Sequence, residues 1–250
     1  MAKLIAFGNQ KGGVGKTTLT INVAGALMHA GKTVTIMDVD KQQRSILDLE
    51  KDYAENTSWV VRREKNGLPP FAAAVVSPYK KGGDVEREMM NMMESGHLDD
   101  IEYLLVDMPP DIESELTRKT LKHADIVVVP FNMSREDIGS TLAYIAMLEN
   151  EYINGINPSL QYITVPNGVD AKARVTQSIL EDAANAPATK AVGAIMGRRE
   201  AFRLASELTV TVHDLPKGTA LLAVRETESL CRAILERLGD TKSANKAGAA

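Results

Sequence analysis

Short apolar runs recur along this chain, each closed by polar or turn-forming residues and most followed by a stretch with helical spacing. The runs at 4–7, 33–37, 71–76, 103–106, 125–130 and 161–165 have the length and β-branched content of buried strands. Residues 19–30, 84–94, 173–184, 198–207 and 218–238 predict helices, and a long helix is predicted from Ser134. In that helix Ile138, Leu142, Ile145, Leu148 and Tyr152 recur at helical spacing, so one face is expected to cover a sheet. Leu230, Ile234 and Leu238 repeat the pattern in the last helix. Val210-Thr211-Val212 predicts one more short strand, and Gly31 stands where a helix would be capped. Strands alternating with helices predict an α/β fold: a doubly wound, mainly parallel sheet flanked by helices on both faces.

With 44% hydrophobic and 25% charged residues in 250, a single domain over residues 1–239 is expected. Residues 240–250 are polar and alanine-rich and are expected to form a disordered tail. One cysteine, Cys231, excludes an internal disulfide and a multi-cysteine cluster within one chain. Strand-like sequence begins within three residues of Met1 and no apolar run approaches membrane-spanning length, so a cytoplasmic protein without a signal peptide is expected. The net charge of −4 hides an asymmetry: residues 1–171 hold 17 Lys/Arg against 24 Asp/Glu, and residues 172–250 hold 12 against 9. The late basic character suits either a solvated, salt-bridged helix surface or a patch for nucleic acid.

The strongest chemical signal is Gln10-Lys11-Gly12-Gly13-Val14-Gly15-Lys16-Thr17-Thr18, between the first strand and the first helix. Glycines let such a loop turn several backbone N–H groups toward one phosphate, and the following helix adds its positive N-terminal dipole. Lys16 is placed for the β/γ-phosphates, and the Thr17 hydroxyl for the Mg²⁺ that accompanies a nucleoside triphosphate. Two further strands end in acids, Asp38-Val39-Asp40 and Leu105-Val106-Asp107, and carboxylates at that end of a parallel sheet face its ligand crevice. Asp40 also suits the N-cap of a helix over residues 42–49. Pro109-Pro110 forces an extended exit after Asp107. The Met89, Met90, Met92 and Met93 cluster is read as packing material, since no histidine or cysteine is interleaved.

The loop resembles the deviant Walker A motif, K-G-G-x-G-K-[ST], of the ParA/MinD group of P-loop ATPases. That resemblance implies an ATPase that uses Mg²⁺, with ATP bound by Lys11, Gly12, Gly13, Val14, Gly15, Lys16, Thr17 and Thr18 and with Lys11 reaching the nucleotide of a facing subunit in an ATP-dependent homodimer. Residues 38–43 resemble the switch I segment D-x-D-P-Q-G, with Lys41 and Gln43 in place of proline and glycine. Asp40 then matches the residue that orients the attacking water, and Asp38 and Asp107 fall beside the metal. The segment Asp107-Met108-Pro109-Pro110 resembles switch II. Asn167, before Gly168, matches an adenine-contacting asparagine and equally suits a plain Asn-Gly turn.

The same likeness, strongest to short ParA/Soj-type partition ATPases, implies segregation or positioning of plasmid, chromosome or protein cargo. It implies non-specific DNA binding by the ATP dimer, a nucleoid-associated location, and a centromere-binding or cargo-adaptor protein that stimulates hydrolysis. Arg198, Arg199, Arg203, Arg225 and Arg232 are the candidate DNA contacts: Arg199 and Arg203 lie four apart on one predicted helix, Arg225 and Arg232 seven apart on another. Glu228, four before Arg232, leaves a salt-bridged surface open for that pair. A MinD-like membrane-associated ATPase would need a C-terminal amphipathic helix, and residues 240–246 have no apolar face, so no membrane partner is expected. A small-molecule-modifying P-loop enzyme, such as an amide-forming synthetase, remains the alternative from another class. With no sequence ahead of the first strand for a helix-turn-helix, operator reading is not expected.

Overall fold

The computed structural model describes residues 2–39, 75–76, 100–170, 194–208 and 210–240. The expectations for Asp40, for the helices at 42–49, 84–94 and 173–184, and for residues 241–250 lie outside that set. The described strands are β1 (Lys3–Phe7), β2 (Val34–Asp38), β3 (Val75–Val76), β4 (Tyr103–Asp107), β5 (Ile126–Phe131) and β6 (Gln161–Pro166). They form one sheet in the order β3-β2-β4-β1-β5-β6, every pairing parallel. The described helices are α1 (Lys16–His29), α2 (Glu115–His123), α3 (Arg135–Met147), α4 (Glu200–Glu207) and α5 (Lys217–Arg237).

Near-continuous burial along β1, β2, β4 and β5 has a simple cause: the sheet is covered on both faces, so alternate side chains enter two separate cores. Ile5, Phe7, Ile36, Leu105 and Val128 pack with Leu19, Val23 and Leu27 of α1 and Leu230, Ile234 and Leu235 of α5. Leu4, Ala6, Leu104, Val106, Val127 and Val129 pack with Leu116 and Leu121 of α2, Tyr144 of α3, and Leu148 and Tyr152 just beyond it. Since α1 lies on one face and α2 on the other, the chain leaves β1 and β4 in opposite directions. The loop after β1 therefore opens at the switch point where parallel sheets bind ligands.

Local chemistry sets the helix ends. Ser114 and Ser134 cap α2 and α3 by accepting from the backbone N–H three residues on, Thr117 and Asp137, at 3.1 and 3.0 Å. Gly31, at φ 77°, closes α1: its N–H donates to Met28 and that of Lys32 to Leu27, a pairing that requires the left-handed residue predicted there.

Three predictions are corrected. The α3 segment continues as a π-helical stretch, Leu148–Ile156, and its buried stripe runs through Thr141, Tyr144, Ile145, Leu148 and Tyr152, while Leu142 is 42% exposed. Residues 210–212 are not a strand: Val212–Asp214 forms a 3-10 turn in which Asp214 accepts from both the N–H and the hydroxyl of Thr211, at 3.0 and 2.8 Å. The Val212 N–H is taken by Asn22 Oδ1 of α1 at 2.9 Å, so tertiary contact overrides β-branched propensity. Asp240, placed in the predicted tail, instead accepts a hydrogen bond from the Tyr103 hydroxyl and donates its N–H to Leu235.

Candidate nucleotide and metal site

The ends of β1, β2 and β4 are level. Parallel register aligns Phe7, Asp107 and Asp38 across the three strands, so both carboxylates sit directly beside the loop that leaves β1. The loop itself is shaped by Gly13 (φ 73°) and Gly15 (φ 95°), left-handed positions that an L-residue occupies only at a cost. Gly15 is the N-cap of α1, so Lys16, Thr17 and Thr18 form the helix's first turn and their backbone N–H groups face the loop. Gly12 and Gly13 form an open tip with no neighbouring atoms within 4 Å of where a Cβ would stand.

Lys16 is 8% exposed and its ammonium donates to the Lys11 carbonyl at 3.0 Å, folding back across the loop where a phosphate chain would lie. The Thr17 hydroxyl donates to Asp107 Oδ2 at 2.6 Å, joining the first turn of α1 to the end of β4. Asp38 and Asp107 are both 2% exposed. Two buried carboxylates and a hydroxyl at adjoining strand and helix ends make a hard-oxygen donor set, which suits Mg²⁺, a cation bound through carboxylates and the phosphates of its substrate. Bound there, Mg²⁺ would neutralise charge on the phosphates; Thr17, Asp38 and Asp107 are the residues fitted to hold it. Asn167, at the end of β6, donates to the Val14 carbonyl at 2.8 Å and lies against Gly15, so it borders the loop.

A set of contacts on α3 had no sequence signal. Asn9, 1% exposed, donates to the Pro130 carbonyl and the Thr141 hydroxyl, both at 2.9 Å, and accepts from the Lys11 N–H at 3.1 Å. Gln10 donates to the Ser140 carbonyl at 2.8 Å, and Lys11 forms an ion pair with Glu136. That hydrogen bond to Glu136 raises the Lys11 pKa above its usual value. A Cβ at Gly8 would lie 2.2 Å from Met108 Cε and 2.4 Å from the Tyr144 hydroxyl oxygen, so both side chains would have to shift to admit one.

The candidate DNA contacts divide. Arg199 is the N-cap of α4 rather than a member of it, and its guanidinium pairs with Glu226 of α5. Arg203 is held between Glu200 and Glu207. These carboxylates raise both arginine pKa values, chiefly through the hydrogen bonds that Arg199 donates to Glu226 and Arg203 donates to Glu200. Arg198, Arg225 and Arg232 are exposed and form no ion pair among the described residues; Glu228 lies 3.8 Å from His213 rather than on Arg232. Cys231 is buried between α1 and α5 with its thiol toward the Val23 carbonyl at 3.7 Å, and burial pushes its pKa up, the reverse of what a cluster ligand needs.

An all-parallel sheet, a K-G-G-x-G-K-T loop at its switch point, and Asp107 hydrogen-bonded to the loop's threonine define a P-loop ATPase of the ParA/MinD type. Residues 3–161 match the family model described as ATPase MipZ, and the chain belongs to that family of ATPases. The chromosome-partitioning ATPase Soj of Thermus thermophilus is 30% identical over 168 residues, 64% of this chain and 67% of that protein. An iron–sulfur cluster carrier protein of Mycobacterium bovis is 23% identical over 183 residues, 67% of this chain, and the match spans about half of the carrier's length, 47%. A plasmid partition protein of Borrelia burgdorferi, solved with AMPPNP, superimposes with a TM-score of 0.67 at 17% identity, covering 95% of this chain and 100% of that one. At that identity the likeness establishes the fold.

Proposed function

We propose that this ATPase is a nucleotide-timed positioning switch: with ATP and Mg²⁺ two copies associate, the pair holds DNA without sequence preference, and a cargo-bound partner protein triggers hydrolysis. The observation that carries this reading is the divided fate of the two lysines of one loop. Lys16 is buried and turned back over its own loop, fitted to the phosphates of its own subunit. Lys11, on the outer side, keeps 31% of its side chain exposed, where a second copy could approach. The resemblance of the loop to the deviant Walker A motif assigns that outer lysine to the facing nucleotide, and Asp40 to the attacking water. Positive charge from both lysines would then stabilise the transferring phosphoryl group.

DNA contact in this scheme falls on Arg198, Arg225 and Arg232, because Arg199 and Arg203 already have carboxylate partners. The location that follows is cytoplasmic and nucleoid-associated. Among the described residues no helix is long and apolar enough to cross a membrane.

Sedimentation and turnover with ATP test the scheme on three proteins. The parent and Asp40→Ala should associate with ATP, and Asp40→Ala should not hydrolyse it. Lys11→Ala should bind nucleotide yet stay single. A Lys11→Ala variant that pairs at parental concentration, or hydrolysis by Asp40→Ala at the parental rate, would overturn it.

A further inference from the structure

The α3 contacts of the loop lie on one helical face. Ser140 follows Glu136 by four residues, and Tyr144 follows Ser140 by four and Thr141 by three, spacings that make neighbours on a helix. They meet the chain segment Gly8 to Lys11 nearly residue by residue: Tyr144 against Gly8, Thr141 to Asn9, Ser140 to Gln10, Glu136 to Lys11. Asn9 is the buried anchor, with three hydrogen bonds that leave its amide a single orientation and fix where Lys11 departs from the main chain. The ammonium of Lys11 then ends on Glu136 at the start of α3, beside Asp137.

We propose that Glu136 is a positioning residue for Lys11: it parks the lysine inside its own subunit, so that pairing of two ATP-bound copies must first break one Lys11–Glu136 ion pair on each side. The proposal rests on the reading that Lys11 crosses to the facing nucleotide. It adds a threshold set by the helix rather than by the loop. Glu136 has 79% of its side chain exposed, so the parking contact is weak enough to be exchanged for a phosphate, which carries more charge and more acceptors. A buried partner would have locked the lysine; an exposed one biases it. Exposed ion pairs shift an equilibrium by about 1.4- to 5-fold, and since two are broken per pairing event, removing Glu136 should tighten association by about 2- to 25-fold.

Two measurements on the full chain test this. The first is a pulse of acetic anhydride without nucleotide, with acetylation of Lys11 and of the control Lys3 read by mass spectrometry. The second is the dissociation constant of the ATP-bound pair by sedimentation. Glu136→Gln should raise the Lys11 labelling rate by about 1.4- to 5-fold while leaving Lys3 unchanged, and should tighten the ATP-bound pair. Glu136→Asp, which keeps the charge, should return both readouts toward the parent. Raising ionic strength should close the gap between parent and Glu136→Gln, because the contact is exposed and screened. Unchanged Lys11 labelling in Glu136→Gln overturns the parking contact, and faster labelling with unchanged or weaker pairing overturns the threshold. If the parent itself does not associate with ATP, the crossing role of Lys11 fails and the threshold fails with it. Association in the parent with unaltered labelling overturns the role of Glu136 alone.

Discussion

At the ends of β1, β2 and β4 the charged groups Lys16, Asp38 and Asp107 are buried, whereas around α4 and α5 Arg198, Arg203, Arg225 and Arg232 stand exposed, Arg199 is half-buried, and carboxylate neighbours decide which of them is paired. Thr17, Asp38, Asp107 and Lys16 take their places from strand register and from a glycine loop, both backbone properties. Arg199 and Arg203 take theirs from side-chain partners, Glu226 on another helix and Glu200 and Glu207 on their own. Chemistry fixed by the backbone survives translation from sequence to structure; chemistry fixed by surface charge is reassigned once the neighbours are known.

The sharpest way to break the first half of that contrast is at Gly15. Alanine there must hold φ near 95°, costing about 1–2 kcal/mol, and its Cβ would stand 2.1 Å from Asn167 Nδ2. Gly15→Ala should lower ATP affinity about tenfold or more, read by calorimetric titration; parental affinity would mean the loop rearranges to bind.

The second half is sharpened by a pair of double variants in filter binding over salt. Arg225→Ala with Arg232→Ala should flatten the log–log salt slope of DNA binding by about two and weaken all sequences alike. Arg199→Ala with Arg203→Ala should change it far less, since those cations are already neutralised. Equal effects of the two would erase the distinction between paired and unpaired arginines. The smallest effect is expected at Tyr144, whose hydroxyl is buried with no hydrogen-bond partner among the described residues, and whose pKa burial pushes well up. Tyr144→Phe should raise stability by up to about 1 kcal/mol in urea unfolding, because an unsatisfied buried hydroxyl is costly to keep. A loss of stability would reveal an acceptor.

How legible the molecule was follows the same divide. The path β1, loop, α1 was readable because glycine spacing, a lysine and a threonine have one joint use, and Asp107 because an apolar run ending in an acid has few others. Gly31 was readable as a left-handed cap for the same reason. The stripe on α3 was read correctly at Ile145, Leu148 and Tyr152 but wrongly at Leu142, because apolar character was taken as the guide: Tyr144 and Thr141 are buried by their contacts with Gly8 and Asn9, and Leu142 faces out. Residues 210–212 have strand propensity, but Asn22 and Asp214 claim their polar groups and turn the chain. Glu136, Ser140 and Thr141 were invisible because nothing local relates them to Asn9, Gln10 and Lys11, more than a hundred residues earlier.

The central claim, that the crevice at the ends of β1, β2 and β4 binds Mg·ATP through Lys16, is tested most directly by calorimetric titration of ATP with Mg²⁺ into the parent and into Lys16→Ala. The parent should show saturable one-site binding per subunit, and Lys16→Ala should lose that binding with an unchanged unfolding midpoint. ATP binding by Lys16→Ala at the parental affinity would contradict it.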